Sequence, residues 1–94
     1  MSKYPSVITP EILDQNKHIS DDVIRQDISE TLAEITIEKA KAESNETILN
    51  NSTDQIQRRM ASFRMDAARG GVRRRQEFVD FLNLLLDERQ PNSA

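Results

Sequence analysis

The sequence predicts an all-α fold: an αα-hairpin with a mostly extended N-terminal arm, forming part of a dimeric helical bundle. Three observations carry this. Turn formers are scarce, with two glycines and three prolines in 94 residues, so a β-sandwich or barrel has little from which to build its corners. Apolar residues recur at three-to-four spacing in two long stretches. Each stretch also opens on a capping signal.

Taken in order, residues 1–19 read as an arm with a short helical turn. Thr9-Pro10-Glu11 is a helix start, with Thr9 as N-cap and Pro10 at the first helical position, good for a turn or two to about Asn16. A stronger start follows at Ser20. Asp21 and Asp22 meet the positive end of the helix dipole, and Ile19 and Ile24 are spaced as a hydrophobic staple. Ile24, Ile28, Leu32, Ile35 and Ala42 then form one apolar stripe, which predicts a helix over about 21–43. The polar, Asn-rich SNETILNNS of residues 44–52 reads as a linker, with Ile48 and Leu49 tucked back. Ser52 and Gln55 have the spacing of a capping box for the next helix.

That second helix, about 53–88, turns on the pair Gly70-Gly71. At about 100° per residue, Ile56, Met60, Phe63 and Ala67 share a narrow sector. Phe78, Phe81, Leu82 and Leu85 return to it beyond the glycines. A chain break has no reason to preserve phase, so one helix is expected, with Gly70-Gly71 as its place to bend. Ala67, Gly70 and Gly71 would then form a patch without side-chain bulk, where a second helix approaches closely. The competing reading is that glycine ends a helix, its commonest helical role. Arg74 falls on the apolar sector and must snorkel or find an acid.

Phe78 to Leu86 holds seven large apolar residues in nine, broken by Asp80 and Asn83. A two-helix hairpin covers only one stripe of Phe78, Phe81, Leu82 and Leu85, which leaves Val79, Leu84 and Leu86 to face elsewhere. The N-terminal arm is one way to cover them. A homodimer through this segment is the expectation preferred here, because wet apolar area costs roughly 25 cal/mol per Å².

Charge is uneven. Residues 1–50 carry ten acids and five bases, residues 51–94 six acids and eight bases. Between Gln55 and Gln76 stand seven arginines and one acid, Asp66. The planar guanidinium fork suits both phosphate and carboxylate, so Arg58, Arg59, Arg69, Arg73 and Arg75 are candidate contacts either to phosphates or to an acidic partner. They scatter around the helix, and no aromatic alternates with them for base stacking. Aligning Ala67 and Gly71 with a helix-turn-helix puts Asp66, Glu77 and Asp80 at apolar positions. Acidic partners, the first helix or another protein, are therefore preferred to nucleic acid.

Catalysis has little to use. The chain has no cysteine and one histidine, His18, placed just ahead of a cap; no phosphate loop, dinucleotide fingerprint or nucleophile elbow occurs. Glu30, Glu34 and Glu38 lack the histidine that carboxylate metal sites in bundles pair with them, so no cofactor or metal is expected. Residues 90–94 read as a disordered tail. The stretch MSKYPSVITPEILDQ has no apolar core of signal length, and the longest apolar run, Leu84-Leu85-Leu86, is too short for a bilayer. The expectation is a soluble cytoplasmic interaction protein (adaptor, chaperone-like subunit or inhibitor) that forms a homodimer and binds a protein partner. A nucleic-acid-binding helical dimer is the alternative, and no membrane role is expected.

Overall fold

A computed structural model describes residues 4–90, in three helices and no strand among them: α1 Pro10–Asn16, α2 Asp21–Asn51 and α3 Gln55–Arg89. The expectation of a tail falls largely on residues 91–94, outside the described residues. The long helices α2 and α3 lie antiparallel as an αα-hairpin, and α1 rests against α3. The molecule is a rod of 57 × 24 × 24 Å.

The starts of α1 and α2 follow their capping chemistry. The Thr9 hydroxyl accepts from the Ile12 N–H at 3.3 Å, and the Ser20 hydroxyl from the Val23 N–H at 3.2 Å. Ile19 packs on the cluster that contains Ile24, as a staple should.

Two boundaries differ from the sequence reading. The segment read as a linker, 44–52, is helix as far as Asn51, so α2 runs eight residues past Glu43. Its polar side chains bond within the helix instead of diverting the backbone. Asn45 Nδ2 donates to the Lys41 carbonyl at 2.8 Å and Thr47 Oγ1 to the Glu43 carbonyl at 3.1 Å. Leu49, packed beside Ala42, Met65 and Ala68, then gives the last turns a tertiary contact that outweighs weak propensity. The true connection is Ser52-Thr53-Asp54. Here Asp54, not Ser52, caps α3: its Oδ1 accepts from the N–H of Ile56 at 2.9 Å and of Gln57 at 3.4 Å. Ser52 instead ends α2, its N–H donating to the Ile48 carbonyl at 2.8 Å.

Helix α3 passes through Gly70 and Gly71 unbroken, and neither glycine has positive φ. The face it turns to α2, however, is not the one expected. Buried positions are Ala61, Met65, Ala68, Gly71, Val79, Leu82 and Leu85. With half-buried Val72 and Arg75, the series 61, 65, 68, 72, 75, 79, 82 alternates steps of four and three. Ile24, Ile28, Thr31, Ile35, Glu38, Ala42 and Asn45 do the same on α2. Both are heptad seams of the coiled-coil kind. A strict heptad seam drifts about 20° per repeat against a straight 3.6-residue ruler. Over the three repeats from Phe78 back to Ile56 this amounts to about 60°, enough to carry a constant-angle sector drawn through Phe78 and Leu85 off the seam.

Two apolar clusters flank a thin middle. The larger, at the open end, holds Ile8, Ile24, Leu82 and Leu85, with Ile24 and Leu85 each 1% exposed. The smaller, toward the connection, holds Ala42, Met65 and Ala68. Small residues on α3 keep the helices close between them.

Candidate protein-interaction surface

Two stretches of α3 were expected to meet partners, and the structure treats them differently. In the C-terminal stretch, Val79, Leu82 and Leu85 are buried, while Phe78, Phe81, Leu84 and Leu86 are half-buried against the large cluster. The cover comes from the arm. Ile8 belongs to that cluster, Ile12 and Leu13 pack on it, and the Tyr4 ring lies 5.4 Å from the rings of both Phe78 and Phe81. The chain supplies its own third wall, so much of the apolar area at 78–86 on which the expectation of a homodimer rested is covered from within.

The close-approach patch is also redrawn. Gly71 faces α2, where an added Cβ would sit 3.5 Å from Glu38 Oε2 and 2.9 Å from Arg75 Nη1. Gly70 meets no atom of α2; its one near neighbour would be Arg74 Nη1, at 3.3 Å. Ala67 is exposed, and Ala68 is the small residue in the seam. Arg74, the awkward cation of the sequence reading, lies back over Gly70 and stays exposed.

Of the five candidate arginines, three are engaged within the chain. Arg58 donates to the Leu49 carbonyl at 2.6 Å and the Ser52 carbonyl at 3.3 Å, satisfying the C-terminus of α2, whose last turn contains no basic residue. Arg69 pairs with Glu46 at 3.5 Å, and Arg75 with Glu34 at 2.9 Å. Arg59 and Arg73 are exposed; with Arg64 and Arg74 they form no ion pair among the described residues. Glu38, read from sequence as part of a solvated face, has a side chain only 19% exposed at the seam and pairs with Lys41 at 3.3 Å.

One residue that sequence reasoning passed over joins all three helices. Arg89 donates to Asp21 at 2.8 Å and to the Asn16 carbonyl at 2.5 Å, so it ties the end of α3 to the start of α2 and the end of α1. Its position in the last turn, where a cation suits the helix dipole, was the available signal.

The unexpected feature lies toward the connection. Ile56 is 72% exposed, Met60 47% and Phe63 77%. These are the residues assigned by sequence to the packing face. Their sector on α3 is the one that Tyr4 and the arm cover further along, at Phe78 and Phe81; beyond the arm it is bare. Across a shallow cleft from Met60 stands Ile48 of α2, together with Asn45 and Arg64. Ile37, three helical turns before Ile48 on the same side of α2, is exposed too. Ile56, Met60 and Phe63 thus leave one stripe of α3 exposed in the connection half, with Ile48 of α2 across the cleft from Met60. Nothing in the sequence pattern distinguishes a covered from an uncovered part of one stripe; that depends on where the arm ends.

Among the described residues no three His, Asp or Glu side chains are grouped to hold a metal, and no helix is long and apolar enough to cross a membrane. No family model matches the chain, and no curated protein or solved structure matches it.

Proposed function

We propose that the chain is a small non-catalytic protein-interaction module, an adaptor, chaperone-like subunit or inhibitor, that recruits a protein partner to the connection half of its hairpin. One observation carries this reading: Ile56, Met60 and Phe63 stand exposed along one stripe of α3, with exposed Ile48 of α2 across a shallow cleft from Met60, while the C-terminal part of that stripe is covered. Isolated exposed apolar residues are ordinary, but a gathered patch with polar surroundings marks a contact surface. Burying a large apolar side chain fully is worth about 1.5–3 kcal/mol, so a partner that covers several of them gains enough to bind. The hairpin itself supports the role, being a rigid two-helix scaffold with a short connection. Phosphate binding is the lesser reading, because Arg58, Arg69 and Arg75 already have partners within the chain.

Differential capture tests the proposal. Immobilised wild-type chain and a Met60→Asp, Phe63→Asp double variant are exposed to extract from the native host, and bound proteins are identified by mass spectrometry. A protein recovered by the wild type and lost by the variant, with helix content unchanged by circular dichroism, is expected. Identical recoveries from both baits would count against this surface and this function.

A further inference from the structure

We infer that the occupant of the bare stripe is an acidic amphipathic helix of another protein, laid along α3 from Ile56 to Arg74 in line with the chain's own arm. The inference rests on the module reading above and names the partner's chemistry.

Continuity with the arm argues for a laid-on segment. Ile56, Met60, Phe63, Ala67, Gly70 and Arg74 alternate steps of four and three, the spacing a second helix reads as a seam. Past Arg74 the same sector continues into Phe78 and Phe81, where Tyr4 already sits 5.4 Å from each ring. The bare part is about 27 Å long at 1.5 Å per residue. Gly70 and Ala67 at its middle have no bulk, and the one group near Gly70 is the flexible end of Arg74.

Charge argues for an acidic occupant. A coiled coil places its charges on either side of the seam, and here those flanking positions are Gln57, Arg59, Arg64, Asp66, Gly71 and Arg73: three cations against one acid. Arg59, Arg64, Arg73 and Arg74 have no ion pair among the described residues, so their charge is available. Across residues 32–76 there are nine bases and six acids; the rest of the chain has four bases and ten acids. A second copy is thereby disfavoured as occupant. Its own connection half would bring like charge, and its acidic half already carries the arm on the matching sector. Nucleic acid would use the arginines but leave Ile56, Met60 and Phe63 without purpose.

The test uses the full chain and three fluorescent probes: a three-heptad peptide with leucine at its seam and glutamate on both flanks, the same peptide with lysine flanks, and a DNA duplex of similar length. Anisotropy should show the glutamate peptide binding at least about tenfold more tightly than the lysine peptide, and weakening as salt screens the exposed pairs. The double variant Arg59→Glu, Arg64→Glu should reverse that order. Phe63→Ala should lower the affinity for the glutamate peptide by about tenfold. Equal binding of the two peptides, no binding of the acidic one up to about 1 mM, or tighter binding of the duplex would overturn the inference. So would a chain that is dimeric at the probe concentration and becomes monomeric on Phe63→Asp. If differential capture succeeds where the acidic peptide fails, the module reading stands and the partner chemistry falls.

Discussion

Guanidinium groups of identical chemistry have unequal roles here, and geometry separates them. Arg89 has a side chain 16% exposed and donates to a carboxylate on α2 and a carbonyl on α1. Charge-assisted bonds in partly buried settings are the strong ones. Arg89→Ala should therefore cost about 1–2 kcal/mol of stability, whereas Arg59→Ala, a change at an exposed site, should stay within about 0.5 kcal/mol; urea denaturation followed by circular dichroism compares them. The glycines separate in the same way. Gly70→Ala should stabilise by up to about 1 kcal/mol, since the new methyl meets only a mobile guanidinium and alanine is the better helix former. Gly71→Ala should gain less, because the Arg75 guanidinium, which donates to the Gly71 carbonyl at 3.3 Å and pairs with Glu34, must move. Equal gains at the two positions in thermal melts would contradict this assignment.

The arm decides how far each helix face is covered. Ile8, at 7% exposure, is its anchor in the large cluster. Ile8→Ala should cost about 2–3 kcal/mol, toward the lower end for a buried isoleucine because an arm can partly readjust. Ile8→Asp should lift the arm and bare Phe78, Phe81 and Leu85, so that light scattering detects more self-association than in the wild type. The caps of α1 and α2, and the continuity of α3 through Gly70-Gly71, were legible in the sequence because each is set by neighbours a few residues away. The far end of α2 was not, because Asn45 and Thr47 look like linker residues until Leu49 is seen beside Met65. The facing side of α3 was not, because an apolar stripe records which residues avoid water without saying which neighbour covers them. Phe78 and Phe63 read alike in sequence. One lies under Tyr4 and the other, among the described residues, stands exposed.

At the scale of the molecule, shape and charge point the same way. The Cα radius of gyration is 17.9 Å, against about 12 Å for a compact domain of this length. A rod this thin has little interior, and its two clusters are joined by a seam of small and polar residues. Acidic residues concentrate at the open end and arginines toward the connection, leaving a basic half with bare apolar residues ready to take an acidic neighbour. All of this depends on the rotation of α3. The chain has no cysteine, so single thiols introduced by Phe63→Cys and Met65→Cys report that rotation directly. The structure predicts that the thiol at position 63 reacts with a maleimide as fast as in an unfolded peptide. The thiol at position 65 should react at least about tenfold more slowly, because it must wait for a local opening. Fast labelling at 65 with protection at 63 would turn the helix over, put Phe63 in the hairpin seam and remove the surface on which the proposed function rests.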